Sequence, residues 1–504
     1  MILALLAVVI SLPVAGILLR ERSWQRSAAM VVVLVLAFGL VFIDQWDSSQ
    51  VESLRASPGL IALGIGGAVA VCLALAVAIR RWPILFPALV VAALPFRVPI
   101  EVGGEEANLL IPLYLVIGAG ALASLDRQLR SPSRSAGHTG LGGVAGWLRP
   151  LLAVSVVLFA LAILYSADRS QGIQNLSFFL VPFAVLFALL GEVRWDRRTL
   201  MVALGVLLVQ AFLCALIGFV EYQTRQLLWN EVVIRSNEFH VYFRVNSLFW
   251  DPNIYGRYLA VVITILVAVL AWVRRPGAAA LAVAGSLVLW LALISTFSQS
   301  SFLALVAGLA VIAALAFSFR YTLAALAGLV LAGILFLAFA GGLVKLDPER
   351  LNPQTGGRAD LVSGGLELAA KRPLFGFGSG SFSVSFQEEI AGPDAPVTES
   401  HTEPITVAAE GGLVGLAVYV SLIVSALAMF MTGFRGSMPG LGGVVDAEVP
   451  ARAPPAARAA AVASFVAILV HTIAYAGFLD DPAVWVLLAV GYSLACQCRA
   501  TSAA

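Results

Sequence analysis

Histidine is rare in this chain of 504 residues, which contains only His138, His240, His401 and His471. His401 stands in Glu399-Ser400-His401-Thr402-Glu403-Pro404, directly before a long apolar segment. An imidazole titrates near neutral pH, and a neighbouring carboxylate can orient its ring, so His401 is the best general-base candidate. Glu403 is the alternative base. Glu403 or Glu399 could instead serve only to orient His401.

The other three histidines are weaker candidates. His240 is close in sequence to Arg244, and we treat it as a supporting residue. His471 lies inside an apolar segment near Tyr475, where a hydrogen bond between packed helices is the favoured role. His138 lies in a Gly/Ser-rich stretch, where we expect no chemistry.

Two arginines have sequence contexts that suit an anionic ligand. Arg244 lies in an apolar and aromatic stretch, shortly before Asp251-Pro252-Asn253, which predicts a helix start. Arg358 would open a short helix over 358–371 that Pro373 ends, beside the unpaired N–H groups of its first turn. Because a guanidinium presents a fork of donors, both arginines could bind phosphate or carboxylate.

A glycine-rich string, GFGSGSF, contains Gly376, Gly378 and Gly380. Such a string can indicate a dinucleotide site, but only where a strand precedes it and a helix follows. No strand pattern precedes it here. We therefore predict a tight re-entrant turn at the membrane face.

The composition indicates the class of protein. Hydrophobic residues make up 60% of the chain and charged residues 12%, about half of the roughly 25% found in soluble domains. Apolar runs of about 20 residues recur along the chain, as in membrane-spanning helices. We predict an all-α, polytopic integral membrane bundle of about 12–15 transmembrane helices with a large, partly helical extracytoplasmic loop. This excludes a soluble enzyme, a disulfide scaffold, a nucleic-acid binder and a disordered protein.

The candidate spans number about fifteen, with ends uncertain by a few residues. They cover roughly 2–19, 27–43, 59–79, 83–96, 108–125, 149–165, 173–191, 199–219, 253–273, 278–295, 301–319, 322–341, 406–431, 460–478 and 482–498. The weakest are the short span at 83–96 and the separation of 278–295 from 301–319.

The distribution of charge predicts the orientation of these spans. With the N-terminus outside, the cytoplasmic loops hold 19 of the 31 basic residues and six of the 29 acidic residues. The other side holds the remaining 12 basic and 23 acidic residues. This asymmetry is the one expected from the excess of Lys and Arg in cytoplasmic loops.

Loop length divides the chain further. The predicted outside loops 220–252 and 342–405 are long enough to carry function. The cytoplasmic stretches 126–149 and 432–459 are rich in Gly, Pro, Ser, Ala and Arg, which is typical of linkers. We therefore predict an N-terminal bundle over 1–219, a functional core over 220–431, and a linker with C-terminal helices over 432–504.

The motifs together resemble the O-antigen ligase superfamily, which includes the O-antigen ligases and the Wzy-type polysaccharide polymerases. The resemblance covers about 240–425: Arg244 ahead of DPN, then GGRADLVSGGLELAAKRPLFGFGSGSF, then SHTEPITVAAEGGLVG. Two positions depart from the family pattern. Thr402 follows His401 where Asn is usual, and Ser298-Gln299-Ser300-Ser301 lacks the usual Arg.

The resemblance implies an inverting glycosyltransferase of bacterial surface polysaccharide assembly that needs no metal or other cofactor. It would take a glycan from an undecaprenyl-diphosphate-linked donor at the periplasmic face of the cytoplasmic membrane. Arg244 and Arg358 would bind the diphosphate, His401 would be the catalytic histidine, and Asn253 would support the site. The acceptor would be another lipid-linked glycan, as for a polymerase, or the lipid A-core or a protein, as for a ligase. A chain-length regulator or flippase of the same pathway is a further candidate partner.

A transporter or flippase is the main alternative class. It predicts ionisable residues deep within the spans or paired broken helices. The charges here concentrate at the ends of the spans, which favours the enzyme.

Overall fold

The computed structural model describes most of the chain. The residues left outside it are 49–50, 52–56, 103–104, 132–140, 229, 240–241, 329–357, 393–399, 433, 435–454 and 503–504. His240, Glu399 and residues 329–341 of the predicted span 322–341 therefore lie outside the described residues.

The N-terminal half is a series of helices with one hairpin. In chain order these are α1 (Ile2–Leu19), α2 (Trp24–Asp44), α3 (Pro58–Arg81), α4 (Leu85–Ala93), β1 (Val98–Val102), β2 (Glu105–Leu109), α5 (Ile111–Arg130), a 3₁₀ turn (Gly143–Trp147), α6 (Leu148–Ile163), α7 (Arg169–Asn175), a π turn (Leu176–Leu180), α8 (Val181–Leu190) and α9 (Arg197–Thr224).

The C-terminal half is also helical. It contains α10 (Glu231–Phe239), α11 (Pro252–Trp272), α12 (Pro276–Ser295), α13 (Gln299–Ala316), α14 (Arg358–Lys371), α15 (Phe382–Phe386), a π turn (Gln387–Ala391), α16 (Glu403–Phe430), α17 (Pro455–Ala474) and α18 (Pro482–Ser502).

The described residues contain 11 helical segments that are long and apolar enough to cross a membrane. This confirms the predicted polytopic helical bundle and a multi-pass membrane protein. Most predicted spans agree with a helix to within a few residues, and the separation of 278–295 from 301–319 is confirmed by the break between α12 and α13.

The predicted span at 83–96 is wrong as a full crossing. The helix there, α4, has nine residues, a length of about 14 Å at 1.5 Å per residue, against about 30 Å for the apolar core of a bilayer. Prolines at positions 83 and 95 bracket it. The chain continues into the antiparallel hairpin β1–β2, in which Val98 pairs with Leu109, so the short apolar run covers only part of a crossing.

One large core occupies the middle of the bundle. The segment Arg169–Leu190, which includes α8, is 83% buried over its apolar window and is the most enclosed of the membrane-crossing segments described. A second apolar cluster joins α9, α11 and α12 around the buried side chains Tyr255 and Leu289. This second cluster packs around the start of α11.

Several basic loops meet at one end of the bundle. Glu192, after α8, pairs with Arg26 and lies 3.2 Å from Arg22. Arg80, at the end of α3, lies 3.0 Å from Asp126 near the end of α5. Loops that the charge pattern assigns to one side are therefore in contact at one end, which we call the basic face.

Labelling of cysteines tests which face is cytoplasmic. In a variant without the four native cysteines, Ser135→Cys lies in a predicted cytoplasmic loop and Ser236→Cys on α10, in a predicted outside loop. A membrane-impermeant maleimide should label Ser236→Cys in intact spheroplasts and Ser135→Cys only in inverted vesicles. The reverse pattern would contradict the predicted orientation.

Candidate functional site

The helix starts of α11, α13 and α16 lie at the end of the bundle that we call the site face. The start of α11 is as predicted: the Asp251 carboxylate accepts hydrogen bonds from the backbone N–H groups of Asn253 at 2.6 Å and Ile254 at 3.3 Å, and Pro252 occupies the first turn. This cap sets the position of Asn253.

Arg244 is held at the site face by neutral oxygen atoms. Its Nε donates to the carbonyl oxygen of Thr296 and its Nη2 to Oδ1 of Asn253, both at 3.0 Å. Its backbone N–H donates to Oδ1 of Asn237 on α10, and its carbonyl oxygen accepts from Nδ2 of the same side chain. No carboxylate pairs with Arg244 among the described residues, so its charge is fixed in place but is not neutralised there.

The amide of Asn253 begins a buried polar network. Its Oδ1 also accepts from the Ser298 hydroxyl at 2.8 Å. The Ser298 hydroxyl lies 2.8 Å from that of Ser301 and 3.2 Å from that of Ser300. The Ser300 hydroxyl lies 3.1 Å from Nε2 of the fully buried His471. The serine segment thus connects α11 and α13 to α17, and His471 has the helix-packing hydrogen bond expected for it.

Tyr475 lies near both His471 and His401. Its ring centroid lies 5.7 Å from that of His471 and 6.0 Å from that of His401. His401 is partly buried and stands two residues before the start of α16. A continuous series of contacts therefore links Arg244 and Asn253 to His401.

Glu403 is the first residue of α16, and its carboxylate is already engaged. Its Oε2 accepts a hydrogen bond from the backbone N–H of Gly477 at 2.7 Å. Glu403 thereby fastens the start of α16 to the loop between α17 and α18.

The remaining predicted site residues are only partly described. The short helix predicted over 358–371 is confirmed as α14 (Arg358–Lys371), but the side chain of Arg358 lies outside the described residues. The same holds for Glu399 and His240. Helix α14 packs closely on its neighbours through glycines, since a Cβ at Gly365 would lie 2.5 Å from Ile405 at the start of α16.

The glycine-rich turn is organised by a residue that sequence reasoning missed, Glu410 of α16. Its two carboxylate oxygens accept from the backbone N–H groups of Gly380 at 3.0 Å and Phe382 at 3.1 Å. On the opposite side, the Ser166 hydroxyl donates to the carbonyl oxygen of Ser379 at 2.9 Å. The turn is tight, as predicted, and it joins α16 to the N-terminal bundle.

Arg257 is the second residue that sequence reasoning missed. It lies one turn after Asn253 on α11, and its Nη2 lies 2.7 Å from Oδ2 of Asp481; their side chains are 7% and 9% exposed. An arginine inside a predicted span was the available signal. Arg97 lies in the same charged region, where burial lowers its pKa and the Asp481 carboxylate partly offsets that effect.

The described residues contain no group of three His, Cys, Asp or Glu side chains that could hold a metal ion. The expectation of a metal-independent reaction is not tested by this and stays a prediction.

Comparison with protein families finds a match in the second half of the chain. Residues 284–420 match the family model described as O-antigen ligase, which confirms the resemblance to the O-antigen ligase superfamily and supports an enzyme of the ligase or polymerase type. The matched segment runs from α12 into α16 and contains His401. Arg244, Asn253, Arg257 and helices α17 and α18 lie outside it. No curated protein matches the chain.

Substitution of Gly378 tests the role of the glycine turn. Gly378 has φ = +99°, and a Cβ there would lie 2.3 Å from the Cα of Ser166. Gly378→Ala should therefore destabilise the protein by roughly 1–3 kcal/mol, measured as a lower melting midpoint in detergent. Gly205→Ala on α9, where a Cβ meets nothing within 4 Å, is the control. Equal midpoints for the two variants would contradict the proposed packing.

Proposed function

We propose that this chain, whose residues 284–420 match the O-antigen ligase family, is a membrane-embedded inverting glycosyltransferase of bacterial surface polysaccharide assembly. It transfers a glycan from an undecaprenyl-diphosphate-linked donor to an acceptor hydroxyl. The proposed location is the bacterial cytoplasmic membrane, with the site face towards the periplasm. There the polyprenyl chain can remain in lipid while the sugar and diphosphate are in water.

The observation that carries this proposal is the series of contacts that links Arg244 to His401 through Asn253, the serine segment, His471 and Tyr475. Arg244 has no opposing carboxylate among the described residues, and neutral oxygens of Thr296 and Asn253 orient it. A cation that is fixed but not neutralised suits an incoming anion, and a fork of donors suits phosphate. A departing diphosphate could be stabilised in this way by preorganised donors.

His401 supplies the second requirement, a base for the acceptor. The acceptor oxygen attacks the anomeric carbon and its proton passes to the imidazole, while the bond from that carbon to the diphosphate oxygen breaks with its electron pair on the leaving group. Attack opposite the leaving group inverts the anomeric centre. Glu403 is a weaker base candidate because its carboxylate accepts the N–H of Gly477. We assign to Glu403 the role of orienting the start of α16.

Arg358 has the second diphosphate-binding role in this proposal. It begins α14, where the first-turn N–H groups and the helix dipole favour a phosphate. Glu399 and His240 stay in the proposal as supporting residues, on the basis of the sequence alone.

The acceptor separates two versions of the function. A polymerase would add the glycan to another lipid-linked repeat unit, and the number of spans favours it slightly. A ligase would join the glycan to lipid A-core or to protein, and the description of the matched family favours this alternative. Mass analysis of the product distinguishes them: longer glycans on the lipid carrier indicate a polymerase, and a glycan on a different acceptor indicates a ligase.

Removal of the imidazole tests the reaction and the base together. Purified protein with a lipid-diphosphate-linked oligosaccharide and a matching acceptor should release undecaprenyl diphosphate, including in EDTA. His401→Ala should lower that rate by about 10²–10⁴-fold, the usual contribution of general acid–base catalysis. His138→Ala, in the predicted linker, is the control. Full activity of His401→Ala would exclude His401 as the base, and loss of activity in EDTA would exclude a metal-independent reaction.

Replacement of the fork tests the diphosphate site. Arg244→Lys keeps the charge but cannot donate to Thr296, Asn253 and a phosphate from one planar group. A hydrogen bond to a charged group contributes about 1.5–3 kcal/mol, so kcat/KM for the donor should fall about tenfold or more. Arg235→Lys on α10 is the matched control. If both variants equal the wild type, Arg244 does not bind the diphosphate.

A further inference from the structure

The loop between α17 and α18, residues 475–481, borders His401 although it lies outside the segment that matches the ligase family. Tyr475 begins this loop and lies beside His401, and Gly477 donates to Glu403. Asp481 ends the loop, immediately before α18. The surroundings of the proposed base are therefore built partly by the C-terminal helix pair.

The far end of this loop is fixed to α11 by an ion pair. Nη2 of Arg257 lies 2.7 Å from Oδ2 of Asp481, while Oδ1 of Asp481 accepts the backbone N–H of Ala483 at 2.8 Å and so caps α18. An arginine within a membrane-spanning helix is costly unless it is paired. The Asp481 carboxylate thus both pairs with Arg257 and caps the start of α18.

The body of the loop is anchored by contacts on both sides of Gly477. The Phe478 side chain is fully buried, and Nε1 of Trp485 on α18 donates to the carbonyl oxygen of Leu479 at 2.8 Å. Between these anchors, Gly477 has φ = +107° and presents its N–H to Glu403. Movement of Asp481 is therefore transmitted to Glu403 and to the Tyr475 ring.

Helix α11 contacts both parts of the proposed site. Asn253, which orients Arg244, and Arg257, which holds the loop, are four residues apart and so lie on the same side of the helix. The Arg257 guanidinium is also within electrostatic range of Glu403. The Arg257–Asp481 ion pair thus links Arg244, which would bind the leaving diphosphate, to His401, which would activate the acceptor.

We propose that Arg257 and Asp481 are positioning residues, whose ion pair holds loop 475–481 so that Tyr475 and Glu403 keep His401 at its working distance from Arg244. This rests on the proposed function, in which His401 is the base. A buried ion pair contributes little net stability compared with apolar packing, but it fixes two elements in one geometry. Displacement of a reacting group by about 1 Å can cost about 10²-fold in rate.

The test measures kcat and donor KM separately. Asp481→Asn keeps the oxygen that caps α18 but removes the charge. We expect kcat to fall about 10²-fold with donor KM changed less than about threefold, the pattern of an interaction that acts in the transition state. Asp481→Glu should recover most of the lost kcat. Asp126→Asn, which removes the partner of Arg80 on the basic face, is the matched control and should leave kcat unchanged.

A second variant and a second measurement cover the case in which Asp481→Asn does not fold. Gly477→Ala leaves both charges in place, but its φ of +107° is one that side chains rarely adopt, so it should displace the loop and lower kcat similarly. Hydrogen exchange of residues 476–480 should be faster in both variants. Unchanged kcat in the folded variants, or a loss that appears only in KM, would overturn the positioning role. Absence of undecaprenyl diphosphate release by the wild type would instead overturn the proposed function.

Discussion

The site depends on one constraint: an arginine placed among membrane helices must be held by fixed oxygen atoms, because water is scarce there and an unpaired charge is costly. The chain satisfies this constraint in two ways near the start of α11. Arg257 is paired with the carboxylate of Asp481. Arg244, which precedes α11 in the chain, is held by the amide of Asn253 and the carbonyl oxygen of Thr296. The first arrangement neutralises charge, and the second orients a cation that can still attract an anion.

The rest of the site follows from how these oxygens are themselves supported. Asn253 is fixed by the cap of α11 and by the Ser298 hydroxyl, and that serine belongs to the network that reaches His471. Glu410 supports the glycine turn in the same way, by accepting two of its N–H groups. The polar groups at the site face therefore support one another through hydrogen bonds, which restricts their movement.

The C-terminal helices change the interpretation of the family resemblance. The matched segment, residues 284–420, contains His401 but does not include α17 and α18. His471, Tyr475 and Asp481 reach the site from that pair. Helices outside the matched segment thus contribute residues that lie close to His401.

The sequence by itself determined the class of fold and most of the helix positions, because a bilayer requires apolar runs of a set length and every such run can be counted. It also determined the start of α11 at Asp251-Pro252-Asn253 and the extent of α14, since caps and prolines act locally. It was wrong at 83–96, where a run of suitable hydropathy contains only a nine-residue helix.

Only the tertiary structure decided which polar side chains contact which partners. The sequence makes Glu403 a candidate base beside His401. In the structure, its carboxylate accepts a hydrogen bond from the backbone N–H of Gly477, 74 residues away in the chain. The ion pair of Arg257 with Asp481 joins residues that no local pattern connects. Such contacts depend on which helices pack together, and the pattern of apolar residues reports that a face is buried without reporting which polar atom it will meet.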